Sequence, residues 1–369
     1  MGPALTLFRV RGIPVRIHPS WLVIVGLITW SLSVGYFPQA LPGLPLAAHW
    51  VQGFLAALLL FVSVFLHELS HALTARHYGI PVSGITLHVF GGVSQLDREP
   101  SRPGEELAVA ITGPLTSLAI AGALALLRIL LPLPAGVAAV TGYLIMVNGV
   151  VGLFNLVPGF PLDGGRLLRA ALWWMRGDPG WATMAASRAG AAFATLLMAL
   201  GALRALGGQF LGGLWLILIG LFLRSGAEGS GRQVALQQAL APLTVRDAMT
   251  ASVVTIPAAT PITSAVDEYF WRHHVSSFPV LEGERPVGIV TLDALKRIPQ
   301  ERWAATTVRE PMLPLTEALT AAPGDSLWSA LQKLAGNGVG RVAVVAEGRV
   351  VGYLSIKDVT HLLAIVPPR

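Results

Sequence analysis

The chain has 369 residues, of which 53% are hydrophobic and only 12% charged, against about a quarter charged in ordinary soluble domains, and its mean hydropathy is +0.64. The formal charge of +6 does not point to nucleic acid, because the arginines lie at the ends of apolar segments and form no stripe interleaved with aromatics. The absence of cysteine excludes disulfides and thiolate metal sites, so any metal must be held by His, Asp or Glu.

The N-terminal stretch MGPALTLFRVRGIPVRIHPSW sets basic residues ahead of an apolar run and has no small-residue cleavage site, which predicts a retained first span and not a removed signal peptide. Apolar runs of bilayer length lie at Trp21 to Phe37, Gly53 to Arg76, Glu106 to Leu131, Gly136 to Val157, Ser187 to Leu206 and Leu211 to Leu223, predicting six transmembrane helices. Lys and Arg collect before Trp21, between Arg76 and Glu106, between Arg166 and Arg188, and after Arg224. The positive-inside rule therefore predicts that both termini face the cytoplasm.

The second run contains HELSH, His67 to His71. Histidines four apart share one helix face and can both present a ring nitrogen to a single ion, with Glu68 beside them. One alternative is a pair of satisfied helix residues bonded to neighbouring helices. Ionisable groups at membrane depth cost several kcal/mol unless paired or metal-bound, so a glutamate beside the histidines favours a functional reading. A zinc held by two imidazoles needs a third protein ligand and an open position for water, from which Glu68 can take a proton. Pro81 to Asp97 alternates like two short strands around Gly91 and Gly92, predicting a membrane-associated β-hairpin, with a plain re-entrant loop as the alternative.

After the fourth run, NLVPGFPLDGGRLLRA, Asn155 to Ala170, is broken by Pro158 and Pro161. Irregular backbone at that depth must be buried in protein or line a cavity. Asp163 reads equally as the third metal ligand or as the N-cap of a helix from Gly164 onward. Asn155 can donate a hydrogen bond to a substrate carbonyl or pack between helices. His18 and His88 read as structural or interfacial, and His77 as solvated.

Composition shifts at RSGAEGSGRQ, Arg224 to Gln233, which reads as a Gly/Ser linker. The expected organisation is a six-span membrane domain over 1–224, a linker over 225–242, and two repeats over 243–300 and 306–366. LTVRDAMT from Leu243 is echoed by TTVREPML from Thr306, and PVGIVTLDAL from Pro286 by VVGYLSIKDV from Val350. One strand-rich copy alone would leave an apolar face bare, so the two copies are expected to pack together.

The six-span part resembles the site-2 proteases, zinc metalloproteases that cut substrates within transmembrane segments. The likeness is carried by GIPVRIHPSW, HELSH, FGGVSQL, GPLTS and NLVPGFPLDGGR. It implies one Zn2+ per chain bound by His67, His71 and Asp163, with Glu68 as general acid and base and Asn155 assisting substrate binding or the oxyanion. The hairpin resembles the family's edge-strand region, which would pair with an unwound transmembrane substrate. This chain departs from the family in having Ser117 where an Asn often follows the Gly-Pro of the third span.

The repeats resemble a pair of cystathionine-β-synthase (CBS) domains, which often bind adenine nucleotides. The resemblance implies a regulatory cleft in which a Ser or Thr contacts phosphate and an Asp three residues on contacts ribose. Ser355 and Asp358 match this in the second copy, whereas in the first Thr291 is in register but Ala294 replaces the Asp. A homodimerisation module is the alternative role. No Walker-type loop is present, so nucleotide hydrolysis is not indicated.

The expected fold is thus an α-helical polytopic membrane protein with a short membrane-associated β-hairpin region, followed by an α/β tandem CBS module. A CBS-regulated membrane transporter or channel is the alternative function. A transport site has no need of Glu68 directly after the first histidine, nor of an open coordination position.

Overall fold

A computed structural model describes residues 4–89 and 91–365. Phe90, the first residue of FGGVSQL, and Val366, the expected end of the second repeat, lie outside the described residues. The chain divides into two compact units, Met1–Arg232 and Gln233–Arg369.

Among the described residues six helices are long and apolar enough to cross a membrane: α1 Ser20–Ala40, α2 Leu46–His77, α3 Pro103–Leu130, α4 Ala135–Asn155, α6 Pro179–Leu206 and α7 Phe210–Leu240. Between α4 and α6 lies the shorter α5, Asp163–Arg176. Large apolar side chains such as Leu22, Trp30, Leu59, Val150, Leu153 and Leu221 point outward, an arrangement suited to lipid and not to water. The buried faces are built from small residues, among them Ala56, Ala57, Ala72 and Ala75 of α2 and Ala182, Ala186 and Ala194 of α6. Small residues let backbones approach where lipid removes the hydrophobic drive between helices. The closest approach is at the broken segment, where a Cβ on Gly190 would strike the Phe160 backbone. That contact seats the segment before Asp163 firmly against α6.

The expected hairpin is present as β3, Val82–His88, and β4, Gly91–Leu96, but it forms half of a larger sheet. The N-terminal residues, read from sequence only as the flank of α1, form β1, Leu5–Val10, and β2, Ile13–Ile17. They turn through Arg11 and Gly12, both at positive φ, as a two-residue hairpin requires. Strand β2 pairs in parallel with β3, giving the order β1-β2-β3-β4. Ile13 and Ile85 pack on Ala72 of α2. The sheet thus rests on the helix that carries HELSH, and β4 is its free edge on that side.

The stretch expected as a Gly/Ser linker over 225–242 is helical to Leu240, as part of α7, and the division between the two units falls within it. Two effects outweigh the glycines there. The i,i+4 pairs Arg224–Glu228 (2.8 Å) and Glu228–Arg232 (3.4 Å) lie along the helix, an arrangement that supports helices modestly. Gly226 also lies so close to the Pro161 ring that a Cβ would meet it, so this glycine serves packing and not flexibility.

In the second unit each repeat contributes an antiparallel hairpin beside a short parallel strand. The first sheet has β5 Ile256–Pro257, β6 Ser277–Glu282 and β7 Arg285–Thr291 of the first repeat and β8 Leu313–Pro314 of the second, in the order β5-β6-β7-β8. The second has β9 Thr320–Ala321, β10 Arg341–Ala346 and β11 Arg349–Ser355, in the order β11-β10-β9. Both hairpins shift register at matching places, Val280/Leu281 and Val344/Val345, so the repeat seen in sequence extends to its irregularities. Ile289 of one copy packs with Leu319, Ala343 and Tyr353 of the other. The hydroxyls of Ser277 and Tyr353 bond across this junction at 2.9 Å.

Candidate active site

Helical spacing sets His67 and His71 on one face of α2, and both are buried. Helix α3 holds both rings from behind. His71 Nδ1 lies 2.7 Å from the Val109 carbonyl oxygen, and His67 Nδ1 lies 2.9 Å from Ser117 Oγ. A carbonyl can only accept, so His71 carries its proton on Nδ1 and leaves the Nε2 lone pair free. Gly113 lies between these two supports in sequence. A Cβ there would overlap Nε2 of both rings, so only glycine leaves that space open.

The broken segment delivers Asp163 as the first residue of α5. The N-cap of that helix is Leu162, without a side-chain cap, so the Asp163 carboxylate is free to turn toward the histidines. Its Oδ2 lies 3.2 Å from His67 Nε2 and 3.4 Å from His71 Nε2. Ligand atoms at the corners of a tetrahedron with bonds of about 2.0–2.1 Å stand about 3.3–3.4 Å apart. The donor set of two imidazoles and a carboxylate, with ligand atoms all within 4.8 Å of one another, fits a zinc ion with one position left open.

Glu68 is half-buried beside this cluster. Ser94, on edge strand β4, donates to Glu68 Oε2 at 2.8 Å and lies 2.8 Å from the Glu68 backbone carbonyl. Gly92, two residues earlier, faces Glu68 so closely that a Cβ would meet its Cγ. The free sheet edge and the carboxylate next to the metal-type cluster are therefore in contact.

Sequence reasoning missed Ser94 and treated Ser117 only as a departure from a family pattern. The period-two spacing of Ser94 from Gly92 was the available signal for the first. Asn155 ends α4, half-buried. Its amide makes no hydrogen bond among the described residues. His18 bonds Ser20 at 2.8 Å, and His77 is exposed at the end of α2.

In the second unit, Ser355 and Asp358 line a cleft of about 700 Å³ together with Arg341, Lys357, His273, His274 and His361. They also bond to each other: Asp358 Oδ2 accepts from Ser355 N at 2.8 Å and from Ser355 Oγ at 2.6 Å. Thr291 accepts from the Ala294 amide at 3.1 Å and lines a smaller cleft of about 230 Å³ with Asp293 and Arg297. The two copies thus present related clefts of unequal size and charge.

Comparison with known proteins gives a consistent picture along the chain. Residues 55–134 and 132–199 match the family model of peptidase family M50, and residues 245–301 and 308–365 match the CBS domain. The chain is 38% identical to a protein of Mycobacterium tuberculosis named zinc metalloprotease Rip3, over 99% of this chain and 94% of that one. It is 36% identical to a zinc metalloprotease of Synechocystis, over 95% and 93% of the two chains. Among solved structures it is similar to the site-2 protease from Methanocaldococcus jannaschii, with 30% identity, 62% of this chain and 96% of that chain covered, and a TM-score of 0.43.

Proposed function

Because the chain belongs to peptidase family M50, as a membrane zinc metalloprotease of the site-2 type with paired CBS domains, we propose that His67, His71 and Asp163 hold its zinc and that Glu68 is its general acid and base. The observation that carries this is the convergence of His67 Nε2, His71 Nε2 and Asp163 Oδ2 one residue from a carboxylate. Zinc, when bound, supplies a Lewis acid that lowers the pKa of a water toward about 7 and polarises a carbonyl.

The chain's own residues do the rest. Glu68, oriented by Ser94, takes the proton from the attacking water and passes it to the leaving amine. Asn155 donates to the scissile carbonyl or to the adjoining substrate backbone. A helical peptide bond is shielded by its own hydrogen bonds, so a transmembrane substrate must be extended before it is cut. The free edge of β4 offers backbone N–H and C=O groups for that purpose, and its contact with Glu68 would set the extended bond beside the catalytic carboxylate.

Lys and Arg in alternate loops support a cytoplasmic location for both termini and the CBS pair. The larger cleft, with Ser355, Asp358, Arg341 and Lys357 on its wall, is the better candidate for an adenine nucleotide. Thr291 belongs to the poorer cleft, since Ala294 cannot contact ribose.

The test is cleavage of a membrane-spanning substrate by purified protein, with zinc content measured in parallel. Glu68→Gln keeps zinc and loses cleavage, whereas His71→Ala and Asp163→Asn lose both. Full proteolysis by Glu68→Gln would remove it from the mechanism.

A further inference from the structure

Helices α5 and α3 share a second charged group that the chemistry does not use. Arg169, on α5, is 8% exposed, and Glu106, on α3, is 2% exposed. The Arg169 guanidinium donates through Nε to the Glu106 carboxylate at 3.0 Å and through a terminal nitrogen to Glu99 at 2.9 Å. Each partner leads to a different part of the site. Arg169 follows Asp163 by six residues on α5. Glu106 precedes Val109, whose carbonyl holds His71, by one helical turn of α3. Glu99 lies three residues beyond β4, the strand whose Ser94 holds Glu68.

The first turn of α5 meets the broken segment before it through Gly164 and Gly165, where a Cβ would strike the backbone of residues 156–160, and Ala170 is buried further along. Those contacts tie the start of α5 to the segment before it, whereas Arg169 bonds α5 to α3 through Glu106, and it is along the α5 axis that a slip between those two helices would act. One residue of slip is about 1.5 Å, enough to carry Asp163 Oδ2 away from both imidazoles. A planar guanidinium fork resists that slip because its two donors fix direction as well as distance. An apolar pair would pack the helices equally well without specifying register.

We propose that Arg169 is a positioning residue: its buried bond to Glu106, with the exposed Glu99 as second acceptor, holds α5 and α3 in the register that brings Asp163 to the histidines. This rests on the assignment of His67, His71 and Asp163 as metal ligands. Asp163→Asn therefore runs beside Arg169→Gln and Arg169→Lys, all in the full-length chain.

Zinc affinity is measured by chelator competition, and kcat and KM are measured separately at saturating zinc. Arg169→Gln is expected to bind zinc about 10- to 100-fold more weakly and to lose about 100-fold in kcat, with KM within about twofold of the parent. Arg169→Lys keeps the buried charge, and hence the fold, but reaches one carboxylate; it falls between the two. Wild-type zinc affinity and kcat in folded Arg169→Gln, or in Arg169→Lys, would overturn the proposal. If Asp163→Asn retains full zinc affinity, the ligand assignment beneath it fails instead.

Discussion

Ser117→Ala isolates what orients the first histidine. The serine is 1% exposed and its Oγ stands 2.9 Å from His67 Nδ1, so the substitution removes one oxygen and opens almost no volume. What it leaves is a buried imidazole N–H without an acceptor, which costs about 1–3 kcal/mol. The ring escapes that cost by moving its proton to Nε2 or by turning away, and either move withdraws the Nε2 lone pair that would face the metal. Because about 1.4 kcal/mol is a factor of ten, zinc affinity falls about 10- to 100-fold, the range found for lost outer partners of metal-binding histidines. His71 is the internal control, since its Nδ1 partner is the Val109 backbone carbonyl and no side-chain change touches it. The assay is competition for zinc against a chelator series, with thermal unfolding followed in the same detergent. Unchanged zinc affinity in folded Ser117→Ala would refute the reasoning.

Two further predictions concern other parts of the chain. Ser94→Ala frees the Glu68 carboxylate without touching the metal-type cluster, so kcat falls about tenfold while zinc affinity is unchanged; parallel loss of both would place Ser94 in the fold and not in proton transfer. Burial pushes the Tyr353 hydroxyl up to about 12, despite its bond to Ser277 and the nearby Arg341, whereas an unfolded tyrosine titrates near about 10. The unfolded state therefore loses that proton first as pH rises, so the stabilisation is complete below about pH 10 and is lost toward about pH 12, a change of about 2–3 kcal/mol. Ultraviolet difference titration of the five tyrosines shows a late step that Tyr353→Phe deletes; deletion of an ordinary step instead would contradict the burial.

The helical part of the fold was legible because lipid imposes length and apolarity on each span, and HELSH was legible because four-residue spacing fixes a helix face. Asp163 was not decided by spacing, since Asp serves ligands and caps alike; only the position of Leu162 as N-cap and the direction of the carboxylate separate them. Strands β1 and β2 carry a local hairpin signal at Arg11-Gly12, but their place in a larger sheet was hidden because the parallel partner of β2, β3, lies two spans away in sequence. The supposed linker misled because glycine at 226 reads as flexible in one dimension and as close packing against Pro161 in three. Glu106 is unremarkable in sequence, at the start of an apolar run where charges are common, and Arg169 is one of several arginines between the fourth and fifth runs.

The most direct measurement is X-ray absorption at the zinc edge on the full-length chain, paired with zinc stoichiometry. One zinc per chain, bound by two imidazoles and a carboxylate at about 2.0–2.2 Å, with the ion lost in Asp163→Asn, is the predicted result. A zinc that stays bound with an unchanged ligand shell in Asp163→Asn would contradict the site.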